Sequence, residues 1–126
     1  GVFFTDATTS KPTFANHLNA SNTATDIVGF ISDDPYQRFE IQTNNTGASA
    51  KTDIFNVADL EYTAGSSPDF VSAVELNDST LASGSSATLQ ILGLSRDPDN
   101  NDVGSANVNW VVRINEHELD MNVNGV

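Results

Sequence analysis

The chain contains no cysteine, so no disulfide staples its fold and no thiolate holds a metal. Positive charge is nearly as scarce: Lys11, Arg38, Lys51, Arg96 and Arg113 stand scattered against 17 acidic residues, for a formal charge of −12. Nucleic acid is thereby set aside as a partner, because no basic stripe exists to displace counterions from phosphates. Anionic lipid surfaces go on the same ground. No apolar run approaches the ~20 residues that a helix needs to cross a bilayer, so no membrane span is expected. The same absence argues against a pilin with a long apolar N-terminal helix. Histidine is limited to His17 and His117, far apart in the chain, which gives little basis for a nucleophile–base pair. One Trp and two Tyr are too few for an exposed carbohydrate-binding platform, and Trp110 lies on the apolar face of its own strand pattern.

What is present is a strand-forming chemistry on an acidic background. Apolar residues make up 38% of the 126 residues and come in strand-length runs, which sets this chain apart from disordered acidic sequences. High negative charge with only two lysines reads instead as solubility in concentrated salt, and hence as a halophilic source. The length suits one domain. The chain opens on Gly1-Val2-Phe3-Phe4, read as a mature product whose export signal has been removed, which places it outside the cell at the cell surface.

Strand-length apolar runs, several with period-two alternation, predict about eight strands, at 2–5, 27–31, 39–43, 54–63, 70–76, 87–94, 108–115 and 119–123, with turns at Asn44-Asn45-Thr46-Gly47 and Ser83-Gly84-Ser85-Ser86. The clearest is 108–115, where Val108, Trp110, Val112 and Ile114 share one face. Residues 7–26 read as a polar connector with Phe14 and Leu18 as its large apolar residues; a short helix there, or over 57–62, remains open. The loop 95–106 is acidic and expected to be exposed. The fold class is all-β, with the strand spacing of a β-sandwich.

Candidate chemistry is sparse. Asp97, Asp99 and Asn101 match the first three oxygen positions of a calcium loop, but Asp102 stands where glycine is required and Val108 where a bidentate glutamate is required. The segment reads as a solvated acidic loop. Three sequons, at Asn19, Asn44 and Asn77, permit N-glycosylation on an exported protein, though the composition produces about that number by chance. His117-Glu118 lacks the second histidine of a zinc protease helix. No catalytic residue, metal or cofactor is expected, and the protein reads as a non-enzyme.

The N-terminus is the informative segment. Val2, Phe3 and Phe4 are apolar for the end of an acidic chain, and leaving such side chains in water forgoes about 1.5–3 kcal/mol each. Two outcomes avoid that cost: pairing within the chain's own sheet, or insertion into the sheet of a neighbour.

Phe3-Phe4-Thr5-Asp6 followed by Thr13-Phe14-Ala15 resembles the start of mature TasA/camelysin-type proteins, a family that includes archaeal bundling pilins. Pro35 followed by Phe39-Glu40-Ile41-Gln42-Thr43-Asn44-Asn45-Thr46-Gly47 is similar to that family's entry into a strand that ends in an Asn-Asn-Gly turn. Tyr36 and Gln37 depart from the family's small Gly-Asp pair after the proline, and beyond Gly47 only the sandwich pattern agrees. The resemblance implies a jelly-roll-like β-sandwich whose N-terminal strand completes the sheet of the next subunit, giving an open-ended homopolymer. Carried onto this chain, Val2, Phe3, Phe4 and Thr5 form the donor strand. Residues 1–10 are that strand and the start of a connector, and 11–126 a single sandwich domain. The function implied is an extracellular, pilus-like filament subunit of a halophilic archaeon, serving adhesion, cell–cell contact or biofilm matrix, with glycan or cell-surface contacts. The alternatives are a non-polymerising surface or S-layer-associated β-domain and a virion surface protein.

Overall fold

Extended backbone dominates wherever apolar and polar residues alternate, and the computed structural model describes residues 1–44, 49–84, 86–105 and 107–119. Eight strands occur among the described residues: β1 (Val2–Thr5), β2 (Pro12–Ala15), β3 (Val28–Gly29), β4 (Arg38–Gln42), β5 (Val57–Glu61), β6 (Glu75–Ala82), β7 (Leu89–Leu94) and β8 (Asn109–Ile114). They pair antiparallel in two sheets, ordered β2-β1-β3 and β4-β8-β7-β5-β6. The one helical element among the described residues is a 3-10 turn at Lys51–Asp53, so the all-β class expected from the sequence is met. The chain gathers into two compact units, Gly1–Asp33 with Gly65–Ser72 and Asp34–Ala64 with Ala73–Val126.

The larger unit is organised by β8. Trp110 stands opposite Ile41 of β4 and Leu94 of β7, and Val112 stands opposite Phe39 and Ile91. Ala58, Leu76, Leu89, Ile91, Val108, Trp110 and Val112 form the buried core, flanked by Ile41, Ile54, Leu81, Leu94, Val103 and Ile114. Burying each of the larger side chains is worth about 1.5–3 kcal/mol. A bulge between Ile91 and Gly93 explains an odd spacing in β7. Leu89 and Ile91 face the core in simple alternation; the extra residue then shifts the register so that Leu94, three positions on, meets Trp110.

The outer strands of this sheet, β4 and β6, meet at one place. Thr43 and Leu76 form a parallel bridge, and the Asn44 amide donates to the Leu76 carbonyl at 2.9 Å. Side chains reinforce it: Gln42 Nε2 donates to Glu75 at 3.2 Å, the Asp78 amide donates to Asn44 Oδ1 at 3.2 Å, and Asn44 Nδ2 donates to Glu61. A sheet whose two outermost strands touch has curled back on itself.

Several expected strands shift. The strand read at 54–63 begins at Val57, because Phe55 has φ +75° and a 3-10 turn precedes it. The helix left open at 57–62 is a strand. The strand read at 70–76 begins at Glu75: Phe70 has φ +46°, left-handed backbone that cannot continue a strand. β6 instead runs through Asn77, Asp78, Ser79 and Thr80, whose polarity reads as a turn. The run 27–31 yields only Val28–Gly29, and the connector 7–26 contains β2. Most of the final strand expected at 119–123 and most of the turn expected at 44–47 lie outside the described residues.

Candidate functional site

β1 is the middle strand of the smaller sheet. It pairs with β2 through Val2–Ala15, Phe3–Phe14, Phe4–Thr13 and Thr5–Pro12, and with β3 through Val2–Gly29 and Phe3–Val28. Pro12 fits an outer strand that starts on the proline, where a missing N–H costs no ladder bond. The Phe30 amide donates to the Gly1 carbonyl at 2.8 Å and continues the β1–β3 ladder past Gly29.

Period two divides the side chains between two faces. Val2 and Phe4 fall on one, where Phe4 is the only buried apolar residue of this unit among the described residues. Phe3, Phe14, Val28 and Phe30 fall on the other. Their rows align by register, and the Phe14 and Phe30 rings stand 5.8 Å apart, tilted at 54°. All four are exposed: Phe3 at 38%, Val28 at 50%, Phe30 at 59% and Phe14 at 68%. Three phenylalanines and a valine on one sheet face make a contiguous apolar patch on a chain of charge −12.

Carboxylates fasten the end of β1. Asp26 accepts from the Thr5 amide at 3.0 and 3.1 Å and from the Thr5 hydroxyl at 2.6 Å. The Thr5 hydroxyl, then its amide, holds the Asp26 carboxyl below the usual carboxylate range. Asp6 accepts from the amides of Thr9 at 2.7 Å and Thr8 at 2.9 Å, which lowers its pKa likewise, the Thr9 amide contributing most. Asn16 Nδ2 donates to the Asp69 carbonyl, and His17 stacks on Phe70 with ring centres 4.1 Å apart, so residues 65–72 belong to this unit. Gly65 is required in that loop, since a Cβ there would lie 2.6 Å from the Val71 carbonyl oxygen. Phe4, Asp6, Thr8, His17, Asn19 and Asn22 help line a polar recess of about 310 Å³.

The other candidate residues are dispersed. Asn19 is exposed in a loop, with Oδ1 accepting from the amide and hydroxyl of Ser21 at 3.2 and 3.1 Å. Asn77 lies half-buried within β6, and Asn44 is bonded at both ends of its amide. Asp97 and Asp99 sit in an exposed loop, where Asp97 Oδ1 accepts from the Asp99 amide at 3.0 Å, and Asn101 is half-buried. Among the described residues no three histidine or carboxylate side chains converge as a metal set. No helix there is long and apolar enough to cross a membrane.

Sequence reasoning singled out Val2 to Thr5 but missed Val28 and Phe30 as partners of Phe3. The signal was present in the apolar run Ile27-Val28-Gly29-Phe30-Ile31, but not the pairing that aligns it with β1. Compared with protein-family models, curated proteins and solved structures, the chain matches none.

Proposed function

We propose that this protein is a structural subunit of an extracellular, pilus-like filament, joined to its neighbour by exchange of the N-terminal strand. The observation that carries the reading is the exposed face of Phe3, Phe14, Val28 and Phe30. β1 has its backbone paired, yet its sheet leaves Phe3, and beside it Phe14, Val28 and Phe30, exposed. Phe3, partly exposed in its own sheet, gains a part of the ~1.5–3 kcal/mol that full burial of a large apolar side chain is worth when it is carried into another subunit's core. The resemblance of Phe3-Phe4-Thr5-Asp6 and Thr13-Phe14-Ala15 to TasA/camelysin-type filament proteins points the same way. Adhesion, cell–cell contact or biofilm matrix is the role such a fibre serves, and the acidic composition suits the surface of a halophilic archaeon. In molar salt the Debye length falls to about 3 Å, so subunits of like charge can pack closely.

The second reading is a non-polymerising surface domain, and the pairing of β1 with β2 and β3 favours it. Negative-stain electron microscopy in molar and in dilute salt separates the two. Fibres are expected from the parent in molar salt, fewer in dilute salt, and none from Phe3→Glu or from a chain lacking residues 1–6. Phe3 is exposed, so its substitution leaves the monomer folded, whereas the truncation removes the middle strand of the smaller sheet. Monomers throughout would overturn the filament reading.

A further inference from the structure

Resting on that reading, we infer that the acceptor of the exchanged strand is the open side of β4, Arg38–Gln42. The five-stranded sheet has two outermost strands, and they differ in their readiness to take another. β6 is blunted. Its register with β5 is broken by a bulge between Val57 and Asp59. Its backbone is also engaged by nearby side chains: the Asp78 amide donates to Asn44 Oδ1, the Ser79 amide to Asn77 Oδ1, and Thr80 Oγ1 to the Asn77 carbonyl at 2.7 Å. Bulges and side-chain bonds of this kind protect an edge from pairing.

β4 is less protected, with no bulge in its pairing. It pairs with β8 in unbroken register over five residues. The Thr43 amide donates to Val108 at 3.0 Å, toward β8, whereas the Asn44 amide donates to Leu76, away from β8. Antiparallel pairing alternates, so Phe39 and Ile41 direct their backbone groups to β8, and Arg38, Glu40 and Gln42 direct theirs to the open side. No described strand pairs with β4 there; the Arg38 carbonyl accepts from the neighbouring Gln37 side chain at 2.9 Å. The contact of β4 with β6 lies at its C-terminal end, where the Thr43–Leu76 bridge, the Asn44 amide on the Leu76 carbonyl and Gln42 Nε2 on Glu75 join the two, and Arg38 to Glu40 lie away from it.

The side chains agree with the backbone. Phe39 and Ile41 stand opposite Val112 and Trp110, on the core side of the sheet. Val112 and Trp110 are 1% and 0% exposed, yet Phe39 is 39% exposed. The Phe39 ring is left partly uncovered at that end, and an apolar strand laid beside β4 covers it. β1 has four residues to match the five of β4, and it brings Val2, Phe3 and Phe4. The joint is heterologous, β1 to β4, so it leaves one free β1 and one free β4 at the fibre ends and does not close.

The absence of cysteine makes disulfide mapping direct. Chains carrying Val2→Cys or Phe3→Cys are mixed in molar salt with chains carrying Phe39→Cys, Glu40→Cys, Ser79→Cys or Ala82→Cys, then oxidised mildly. Bonds form only where Cβ atoms come within about 4.5 Å. Crosslinks between two different chains, from the β1 cysteines to Phe39→Cys or Glu40→Cys, are expected at least tenfold above those to the β6 positions. Glu40→Pro, which removes an N–H facing the open side, is expected to leave the monomer's circular dichroism intact and to lower fibre yield at least tenfold. Fibres whose crosslinks fall on β6, or on neither strand, overturn the β4 assignment and leave the filament standing. A parent chain that stays monomeric overturns both.

Discussion

Replacing Trp110 with phenylalanine sets two effects of similar size against each other. Trp110 is fully buried at the centre of β8, and its indole N–H finds no acceptor among the described residues. A buried donor without a partner costs about 1–3 kcal/mol, and phenylalanine removes it. The smaller ring leaves a void of about 40 Å³, which at ~24 cal/mol per Å³ costs about 1 kcal/mol. Lost apolar contact with Ile41 and Leu94 adds about 1 kcal/mol more. Trp110→Phe is therefore expected to change stability by no more than about 1 kcal/mol, while Trp110→Ala, which also empties the site, costs about 3–5 kcal/mol. Urea unfolding followed by far-UV circular dichroism measures both, since the chain has a single Trp and the substitution abolishes its fluorescence. A loss above about 3 kcal/mol for Trp110→Phe at unchanged m-value would refute the reasoning, because it would mean that the indole N–H is well bonded.

Leu76→Ala, at the fully buried position where β6 meets Thr43, is expected to cost about 2–5 kcal/mol in the same assay, whereas Phe14→Ser, at an exposed ring, is expected to change monomer stability by under about 0.5 kcal/mol. Acid should loosen β1. Asp6 and Asp26 are held below their ordinary value of 3.8, so their stabilisation is complete above that pH and drains away as pH falls through the lower folded values. The protection of the Thr5 amide, its exchange rate relative to the intrinsic rate at the same pH, should accordingly fall below about pH 4, and Asp26→Asn should show reduced protection at neutral pH; protection independent of pH would contradict the fastening by Asp26. Of the three sequons, Asn19 is the one expected to carry a glycan on protein from its native source, because Asn44 is bonded at both ends and Asn77 lies within a strand. Glycopeptide mass spectrometry checks this, and an occupied Asn44 with a bare Asn19 contradicts it.

Strands marked by strict alternation or by a dense β-prone run were legible in the sequence. The alternation about Trp110 and the strand at Arg38–Gln42 stand close to where period two places them, and Val2–Thr5 where β-prone residues cluster. β2 was hidden because Thr13-Phe14-Ala15 offers one large apolar side chain, and that ring points to an exposed face. β6 was displaced because its strand pairing runs through polar residues that other groups satisfy: the Asp59 amide donates to Thr80 Oγ1 at 2.9 Å, and Asp78 is buried within the same unit. Local preference makes Asn77-Asp78-Ser79 a turn, and tertiary pairing overrides it. The apolar face of the smaller sheet was half legible. Phe3 was marked as an anchor, but its alignment with Phe14 and Val28 is a matter of register, which periodicity in a single strand does not reveal.

The two sheets also differ in when they can form. All three strands of the smaller one lie within the first 29 residues, whereas β4 must wait for β8, with Phe39 pairing to Val112 across 73 positions. Pairings distant in sequence form slowly, and a chain made from its N-terminus forward meets its nearest pairings first. Val2, Phe3 and Phe4 are therefore paired within their own sheet while the five-stranded sheet is still missing β8. For the proposed filament subunit, order of synthesis would act as a chaperone, keeping β1 from pairing with a half-made neighbour.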